Sequence, residues 1–212
     1  MYLKVVSQSD GLTTQAQLLF DIKMKKLEKD FWSVLGQSET FLEILDESEK
    51  LKVPHWHFGA GFIAQTIWNI KLGHHANRFI NDVDWVYFDP YDLSEESEKQ
   101  IQLRVSHHFQ HIPLRFDVKN QARVHLWYEK KFGTKISPYS SIFSAIENWP
   151  TTSTAIGVTK IQSVQKVFAP LGLEDVMSLK VRPNKKLVAE NIYAEKVKRW
   201  KKNWPELNVI DW

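Results

Sequence analysis

Two carboxylates one residue apart interrupt an apolar run near the middle of the chain. The run covers residues 80–88, and the pair is Asp82-Val83-Asp84. Side chains alternate across a β-strand, so Asp82 and Asp84 lie on one face, about 6–7 Å apart along the backbone. Like charges at this spacing disfavour the ionised state unless a cation lies between them. The run therefore predicts a well-packed strand with an acidic face; the alternative is an exposed strand edge.

A turn of small residues precedes this strand. Gly59-Ala60-Gly61 follows a short strand-like segment at residues 55–58 and leads into apolar residues at helical spacing, namely Ile63, Ile67 and Ile70. The order is therefore strand, glycine turn, helix, and a strand carrying Asp-x-Asp. Such an arrangement is able to hold a nucleoside triphosphate and its Mg²⁺ ions, which favours nucleotidyl transfer.

A third carboxylate, Asp117, lies on the next predicted strand, at residues 113–118. Two divalent ions about 3.5–4 Å apart clamp the attacking and leaving oxygens in phosphoryl transfer. Magnesium prefers carboxylate oxygens. We expect Asp82 and Asp84 to share both ions, Mg²⁺ or Mn²⁺, and Asp117 to complete the catalytic one. The alternative for Asp117 is an ordinary polar strand residue.

Basic residues follow this third strand, where residues 121–132 read as a helix. Lys119 and Arg123 are four residues apart and are predicted to share a face at the start of that helix. A helix amino terminus with two cations favours phosphate, and Asn120 and His125 add hydrogen-bonding groups. The alternative is a solvated helix face with no ligand.

The remaining pattern predicts one mixed α/β domain at residues 37–212, preceded by a helical N-terminal extension at residues 1–36. The extension carries an amphipathic helix over residues 14–35. A final helix has an apolar stripe of Tyr193, Val197, Trp200 and Trp204. Basic residues between positions 180 and 202 are interpreted as a solvated face of the protein.

Composition excludes several classes of function. The 212 residues contain no cysteine, which excludes disulfides and thiolate zinc sites. No apolar run has the length of a membrane span, and the amino terminus lacks a signal-peptide core, so we expect a cytoplasmic protein without a membrane partner. The eight histidines have no metalloprotease or zinc-finger spacing, and neither a nucleophile elbow nor a phosphate-binding P-loop occurs.

Several ordered sequence blocks between about residue 37 and residue 210 resemble a known family. They are Gly59-Ala60-Gly61-Phe62-Ile63, Trp68-Asn69, Asp82-Val83-Asp84-Trp85-Val86-Tyr87-Phe88-Asp89, the segment 118–128, Trp149-Pro150, the segment 169–175, and Arg182-Pro183-Asn184. Together these blocks are similar to bacterial nucleotidyltransferase-like proteins of the DNA polymerase β superfamily.

The resemblance implies an α/β (α+β) polymerase β-type nucleotidyltransferase fold, a small mixed sheet flanked by helices. It implies that Asp82, Asp84 and Asp117 hold the metal. The glycine turn of the superfamily often carries Gly-Ser, whose hydroxyl contacts a phosphate. Here Ala60-Gly61 offers no hydroxyl, so the backbone amides of the turn take over that contact.

The expected reaction is Mg²⁺-dependent transfer of a nucleoside monophosphate from a triphosphate to an acceptor hydroxyl, with release of pyrophosphate. The acceptor is a small molecule, an RNA or a protein. Lys119 and Arg123 would neutralise phosphate, and Asp117 would help to deprotonate the acceptor. Two alternatives remain: a metal-dependent nuclease using Asp117-Val118-Lys119, and a non-catalytic nucleotide-binding or interaction protein.

Overall fold

The computed structural model describes residues 14–212, so the first part of the predicted extension lies outside the described residues. The helices are α1 (Thr14–Leu35), α2 (Glu39–Lys50), α3 (Ala60–Lys71), α4 (Glu95–His108), α5 (Val124–Phe132), α6 (Ile142–Ile146), α7 (Glu174–Met177) and α8 (Glu190–Asn203). The strands are β1 (His57–Gly59), β2 (Asp82–Tyr87), β3 (Arg115–Asn120), β4 (Gly157–Ile161), β5 (Val164–Phe168), β6 (Lys180–Val181) and β7 (Asn208–Val209). None of the described helices is both long and apolar enough to cross a membrane.

The main sheet has five strands in the order β3-β2-β1-β4-β5. Strands β2 and β3 run parallel and are joined by α4, whereas β1 pairs antiparallel with β2 and β4, and β4 with β5. Strands β6 and β7 form a separate parallel pair. The mixed α/β fold with a small mixed sheet flanked by helices is therefore confirmed.

One face of the sheet carries the main hydrophobic core. Val83, Trp85 and Tyr87 of β2 are buried there, as is Phe58 of β1. The Trp85 indole N–H donates to the Ser48 hydroxyl at 3.0 Å, so its polar edge is satisfied inside the core. Because β2 alternates, this packing fixes the positions of Asp82 and Asp84 on the other face.

The opposite face of the sheet is acidic at the start of β2 and apolar toward its end. Asp82 and Asp84 come first, and Val86 then joins a smaller apolar cluster with Ala122 and Ile146. The cluster closes one end of this face, which leaves the carboxylate end accessible. The Asp82-Val83-Asp84 segment therefore lies at the boundary between an open and a packed part of the sheet.

Helix α1 has two halves with different environments. Phe31 and Leu35 near its end are fully buried in the main core. Nearer its start, Leu18, Leu19 and Ile22 are exposed. The second half of α1 is thus packed into the same core as residues 37–212.

Helix α8 is held against α3 by aromatic contacts. The ring of Trp68 lies 5.5 Å from that of Trp200 and 5.6 Å from that of Trp204. The Trp204 indole N–H also donates to the Asn69 side chain at 2.7 Å. The predicted apolar stripe of the final helix is therefore buried, and it fixes α8 beside the helix that follows the glycine turn.

Candidate active site

Three carboxylates share one face of two adjacent strands. In the parallel β2–β3 register Asp84 lies opposite Asp117, and Asp82 lies opposite Arg115. On its other side Asp84 lies opposite Gly59 of β1. The structure therefore brings together Asp82, Asp84, Asp117 and the glycine turn, as the sequence predicts.

The electrostatic cost of this cluster falls mainly on Asp84. Burial, with the neighbouring charges of Asp82 and Asp117, raises the pKa of Asp84 to about 6. Lys196 and a hydrogen bond from the Gly61 backbone act in the opposite direction. A carboxylate in this environment gains most when a cation approaches it.

The glycine turn is constrained by its neighbours at each residue. A Cβ on Gly59 would lie 2.0 Å from the Ile156 carbonyl oxygen, so only glycine fits there. Ala60 donates its N–H to the same oxygen at 3.1 Å and has a φ of 49°, in the left-handed region that alanine rarely adopts. A Cβ on Gly61 would lie 3.9 Å from the Asp84 carboxylate, which places the start of α3 against that carboxylate.

Two of the three carboxylates are engaged by cationic side chains. Arg115 donates to Asp82 at 2.8 Å, and Lys119 donates to Asp117 at 2.7 Å. The four side chains are between 39% and 74% exposed, and exposed ion pairs contribute at most about 1 kcal/mol. Between residues 14 and 212 no three acidic or histidine side chains converge as a preformed metal site. Arg115 and Lys119 each engage one oxygen of their carboxylate, and these weak ion pairs open at little energetic cost.

The prediction that Lys119 and Arg123 share one face at the start of a helix is wrong. Lys119 belongs to β3, which extends to Asn120 because its backbone continues to pair with β2. Residues 121–123 then form a 3₁₀ turn, and α5 begins at Val124. Lys119 lies on the same face of β3 as Asp117, near the carboxylates, whereas Arg123 does not follow it along a helix.

Arg123 and Asn120 make structural contacts elsewhere. The Arg123 guanidinium donates to Glu98 at 2.7 Å and to the Leu93 carbonyl at 2.8 Å. The Asn120 side chain accepts from the Asp89 and Ala122 amides and donates to two carbonyls of the loop after β2. These two residues bind α4 and that loop to the end of β3.

His125 lies in the first turn of α5 and is half-buried. Its Nδ1 is buried and has no hydrogen-bond partner among residues 14–212. The structure therefore leaves His125 as a polar group without a protein partner, and its predicted contact with nucleotide stays a prediction.

Sequence reasoning missed Lys196 of α8. This lysine lies near enough to Asp84 and Asp82 to interact with both charges, although it had been assigned to a solvated basic face. The missed signal is its spacing, because Lys196 is three residues after Tyr193 and four before Trp200, both buried. A lysine on the apolar stripe of a helix is therefore directed toward the protein and not toward solvent.

A groove of about 880 Å³ lies elsewhere, around the β4–β5 hairpin. Its wall includes Trp56, His57, Phe143 and Phe168, and none of the three carboxylates lines it. Burial lowers the pKa of His57 to about 4, so this histidine is neutral at physiological pH. We therefore take the acidic face, and not this groove, as the candidate active site.

Comparisons with known proteins identify the fold and the family of the chain. A solved structure described as revealing a CCA-adding enzyme head domain superimposes with a TM-score of 0.71 at 22% identity, covering 87% of this chain and 96% of that one. At this identity the likeness establishes the fold alone. No curated protein matches the sequence significantly. A family model described as nucleotidyltransferase matches residues 46–209, and the chain accordingly belongs to that nucleotidyltransferase family.

Proposed function

We propose that the protein transfers a nucleoside monophosphate from a nucleoside triphosphate to an acceptor hydroxyl and releases pyrophosphate. The observation that carries this proposal is the shared face of Asp82, Asp84 and Asp117 beside the start of α3. Family membership supports nucleotidyl transfer in general. The donor, the metal and the acceptor are the parts that we propose.

The acidic face suits a divalent cation with oxygen ligands. Its donor atoms are carboxylate oxygens, the set preferred by Mg²⁺ and Mn²⁺. The raised pKa of Asp84 reflects burial and repulsion from neighbouring carboxylates, which a cation would relieve. When bound, divalent ions would neutralise phosphate charge and lower the pKa of the acceptor hydroxyl. Asp82, Asp84 and Asp117 would hold them, after Arg115 and Lys119 release their carboxylates.

The protein groups would have separate tasks in the reaction. The Ala60 amide donates to Ile156 and the Gly61 amide to Asp84, so the turn itself offers fewer free amides than the sequence predicts. The following amides in the first turn of α3 have no partners within the helix and would bind phosphate oxygens, because the helix dipole favours anions there. Lys119, once released from Asp117, would add a cation at the same edge. Asp117 would accept the proton of the acceptor hydroxyl. The acceptor oxygen then forms a bond to the α-phosphorus, and the bond to the bridging oxygen breaks with pyrophosphate leaving.

Transfer of label tests the proposal directly. The protein would be incubated with each α-labelled nucleoside triphosphate, Mg²⁺ or Mn²⁺, and a cell extract separated into small-molecule, RNA and protein fractions. We expect label to enter one fraction with release of pyrophosphate. Asp84→Asn should abolish transfer, whereas Asp30→Asn, which changes an exposed carboxylate of α1, should not. No transfer from any triphosphate would contradict the proposal.

Separate variants can distinguish the carboxylates that bind the triphosphate-associated ion from the carboxylate that binds the acceptor-activating ion. Asp82 and Asp84 would contact the ion that accompanies the triphosphate, and Asp117 the ion that activates the acceptor. Asp84→Asn is therefore expected to lose Mg²⁺-dependent binding of a non-hydrolysable triphosphate. Asp117→Asn should keep binding within a few-fold and lose turnover, because its contribution arises when the nucleophile forms. Normal binding by Asp84→Asn would contradict this assignment.

A non-catalytic nucleotide-binding protein is the second candidate. It is favoured by the absence of a hydroxyl at Ala60-Gly61 and by the cations already paired with Asp82 and Asp117. Binding of a triphosphate without pyrophosphate release, across all acceptor fractions, would support it. Cleavage of plain DNA without a triphosphate would instead favour a nuclease that uses Asp117-Val118-Lys119.

A further inference from the structure

Lys196 has an unusual position for a lysine of a surface helix. It lies on the stripe of α8 that contains buried Tyr193 and Trp200, and it is itself only partly exposed. Trp200, one turn further along, packs on Trp68 of α3, the helix that begins at the glycine turn. Trp204, one turn beyond Trp200, donates to Asn69 near the end of α3. Lys196, one turn before Trp200, therefore lies toward the start of α3, and its charge interacts with those of Asp84 and Asp82.

The charge of Lys196 is incompletely compensated. Arg115 and Lys119 each form an ion pair with one carboxylate, whereas Lys196 forms neither an ion pair nor a hydrogen bond within residues 14–212. Burial lowers the pKa of Lys196, while the charges of Asp84 and Asp82 raise it. A desolvated ammonium group without a direct partner is unfavourable and is relieved by an anion.

A second cation approaches the same place from another element. Lys131 of α5 is near enough to Lys196 for the two charges to repel each other. The Lys131 ammonium lies over the rings of Trp127 and Phe132, at 5.5 and 5.3 Å from their centroids, and it has no carboxylate partner among the described residues. Two like charges from α5 and α8 that repel each other favour a polyanion.

The position of Lys196 indicates which part of a triphosphate it would meet. Asp84 and Asp82 are the acidic residues that interact with Lys196. Asp117, on the β3 side of Asp84, is the residue assigned above to the acceptor. Lys196 thus lies beside the carboxylates assigned to the donor. This is where the departing pyrophosphate would be held.

We propose that Lys196 binds the β- and γ-phosphates of the donor triphosphate, with Lys131 as a second cation near Lys196. The inference rests on the proposed function, since it assigns a contact for the substrate of that same site. Contact between Lys196 and the β- and γ-phosphates would also stabilise the departing pyrophosphate when its bond to the α-phosphorus breaks. The nucleoside and the α-phosphate would make no contact with Lys196.

The test uses Lys196→Met, which removes the charge and keeps most of the aliphatic stem. Lys198→Met is the matched control, because Lys198 is an exposed lysine of the same helix. Calorimetry with Mg²⁺ would measure binding of inorganic tripolyphosphate, of the preferred non-hydrolysable triphosphate and of the matching monophosphate. We expect Lys196→Met to weaken the first two about tenfold or more, a loss typical of a charge-assisted contact, and to leave monophosphate binding unchanged. Lys196→Arg should restore most of the affinity.

The outcomes separate the inference from the proposed function. If the wild type transfers nucleotide and Lys196→Met binds tripolyphosphate normally, the inference is wrong and the proposed function stands. Equal losses for monophosphate and triphosphate would indicate a general structural role of Lys196 and would also overturn the inference. If the wild type neither binds nor transfers any triphosphate, both the inference and the proposed function are wrong.

Discussion

Asp84 carries the largest electrostatic cost among the residues of the acidic face. Burial raises its pKa from 3.8 to about 6, so the folded state favours the protonated carboxyl. The raised pKa of Asp84 therefore contributes to the free energy of unfolding when the carboxyl is protonated. This contribution is complete below about pH 4 and is lost as the pH rises through about 6. Above that range the metal-free protein folds against an unfavourable buried charge.

Asp84→Asn should therefore raise the melting temperature of the metal-free protein at about pH 7.5. The difference in melting temperature between Asp84→Asn and the wild type should shrink as the pH falls through about 6. It should disappear near pH 4, where Asp84 of the wild type is itself protonated. Thermal unfolding in the presence of a chelator measures this difference. Asp30→Asn provides the control for an exposed carboxylate. A pH-independent effect of Asp84→Asn would contradict the assigned cause.

Gly59 is required for a steric reason that is independent of catalysis. A Cβ there would lie 2.0 Å from the Ile156 carbonyl oxygen, which also accepts the Ala60 N–H. We expect Gly59→Ala to cost at least the ~1–3 kcal/mol typical of overpacked cores. Gly73→Ala is the comparison, since it meets no atom within 4 Å and only its φ of 71° is unfavourable. Chemical denaturation should rank Gly59→Ala as clearly the more destabilising change.

Residue-level prediction from sequence succeeded where local geometry decides the outcome. Alternation along a strand fixes Asp82 and Asp84 on one face whatever the rest of the fold. The contacts of Arg123 were not predictable, because its partner Glu98 lies 25 residues away on α4. Lys196 was missed for a related reason: basic composition suggested solvent, although its spacing from Tyr193 placed it on the buried stripe.

At the scale of elements, the contact between Arg123 and Glu98 connects the turn before α5 to α4. The two side chains are only 9% and 12% exposed, so neither is well solvated. Arg123→Ala would leave the poorly solvated Glu98 charge with only the Asn120 amide as a partner within residues 14–212, and breaking a buried ion pair typically costs about 3–5 kcal/mol. Urea denaturation without nucleotide measures the loss. Lys119→Ala, at an exposed pair, should change stability by less than about 1 kcal/mol.

The contact between α8 and α3 is the second place where stability depends on packed elements. Trp200 is 3% exposed and packs edge-on against Trp68. Trp200→Ala should cost about 3–5 kcal/mol, the usual range for truncation of a buried tryptophan. Tyr91→Ala is the aromatic control, since Tyr91 is 98% exposed. An unchanged melting curve for Trp200→Ala with lost nucleotide binding would instead identify Trp200 as a ligand contact.

Element types were largely predictable, whereas some junctions were not. The helix over residues 14–35 and the strand around Asp82–Tyr87 follow from strong periodic patterns. The junction after Asp117 was wrong because pairing between β2 and β3 continues to Asn120 and delays the helix. Pairing of this kind depends on a strand about 30 residues upstream. A prediction from local propensity alone therefore starts this helix at residue 121, whereas α5 begins at Val124.

At the scale of the whole molecule, charges of opposite sign meet at one place. The chain carries a formal net charge of +3, yet three carboxylates lie together on the acidic face of its candidate site. Lys119 of β3 pairs with Asp117, and the charge of Lys196 of α8 interacts with those of Asp84 and Asp82. Lys131 of α5 lies near Lys196. Such an arrangement suits a metal–polyphosphate complex, in which cations contact the carboxylates and phosphates contact the lysines.

This arrangement predicts that a divalent cation reverses the stability order of wild type and Asp84→Asn. Without metal at about pH 7.5 the variant should be the more stable, because Asp84 bears an unfavourable charge. A ligand that binds only the folded state stabilises it by about 2.7 kcal/mol at a concentration of about 100 Kd. Excess Mg²⁺ or Mn²⁺ with a non-hydrolysable triphosphate should therefore raise the melting temperature of the wild type above that of the variant. Sodium chloride at equal ionic strength controls for screening of the carboxylates, and an equal rise with sodium would show that the acidic face binds no divalent ion specifically.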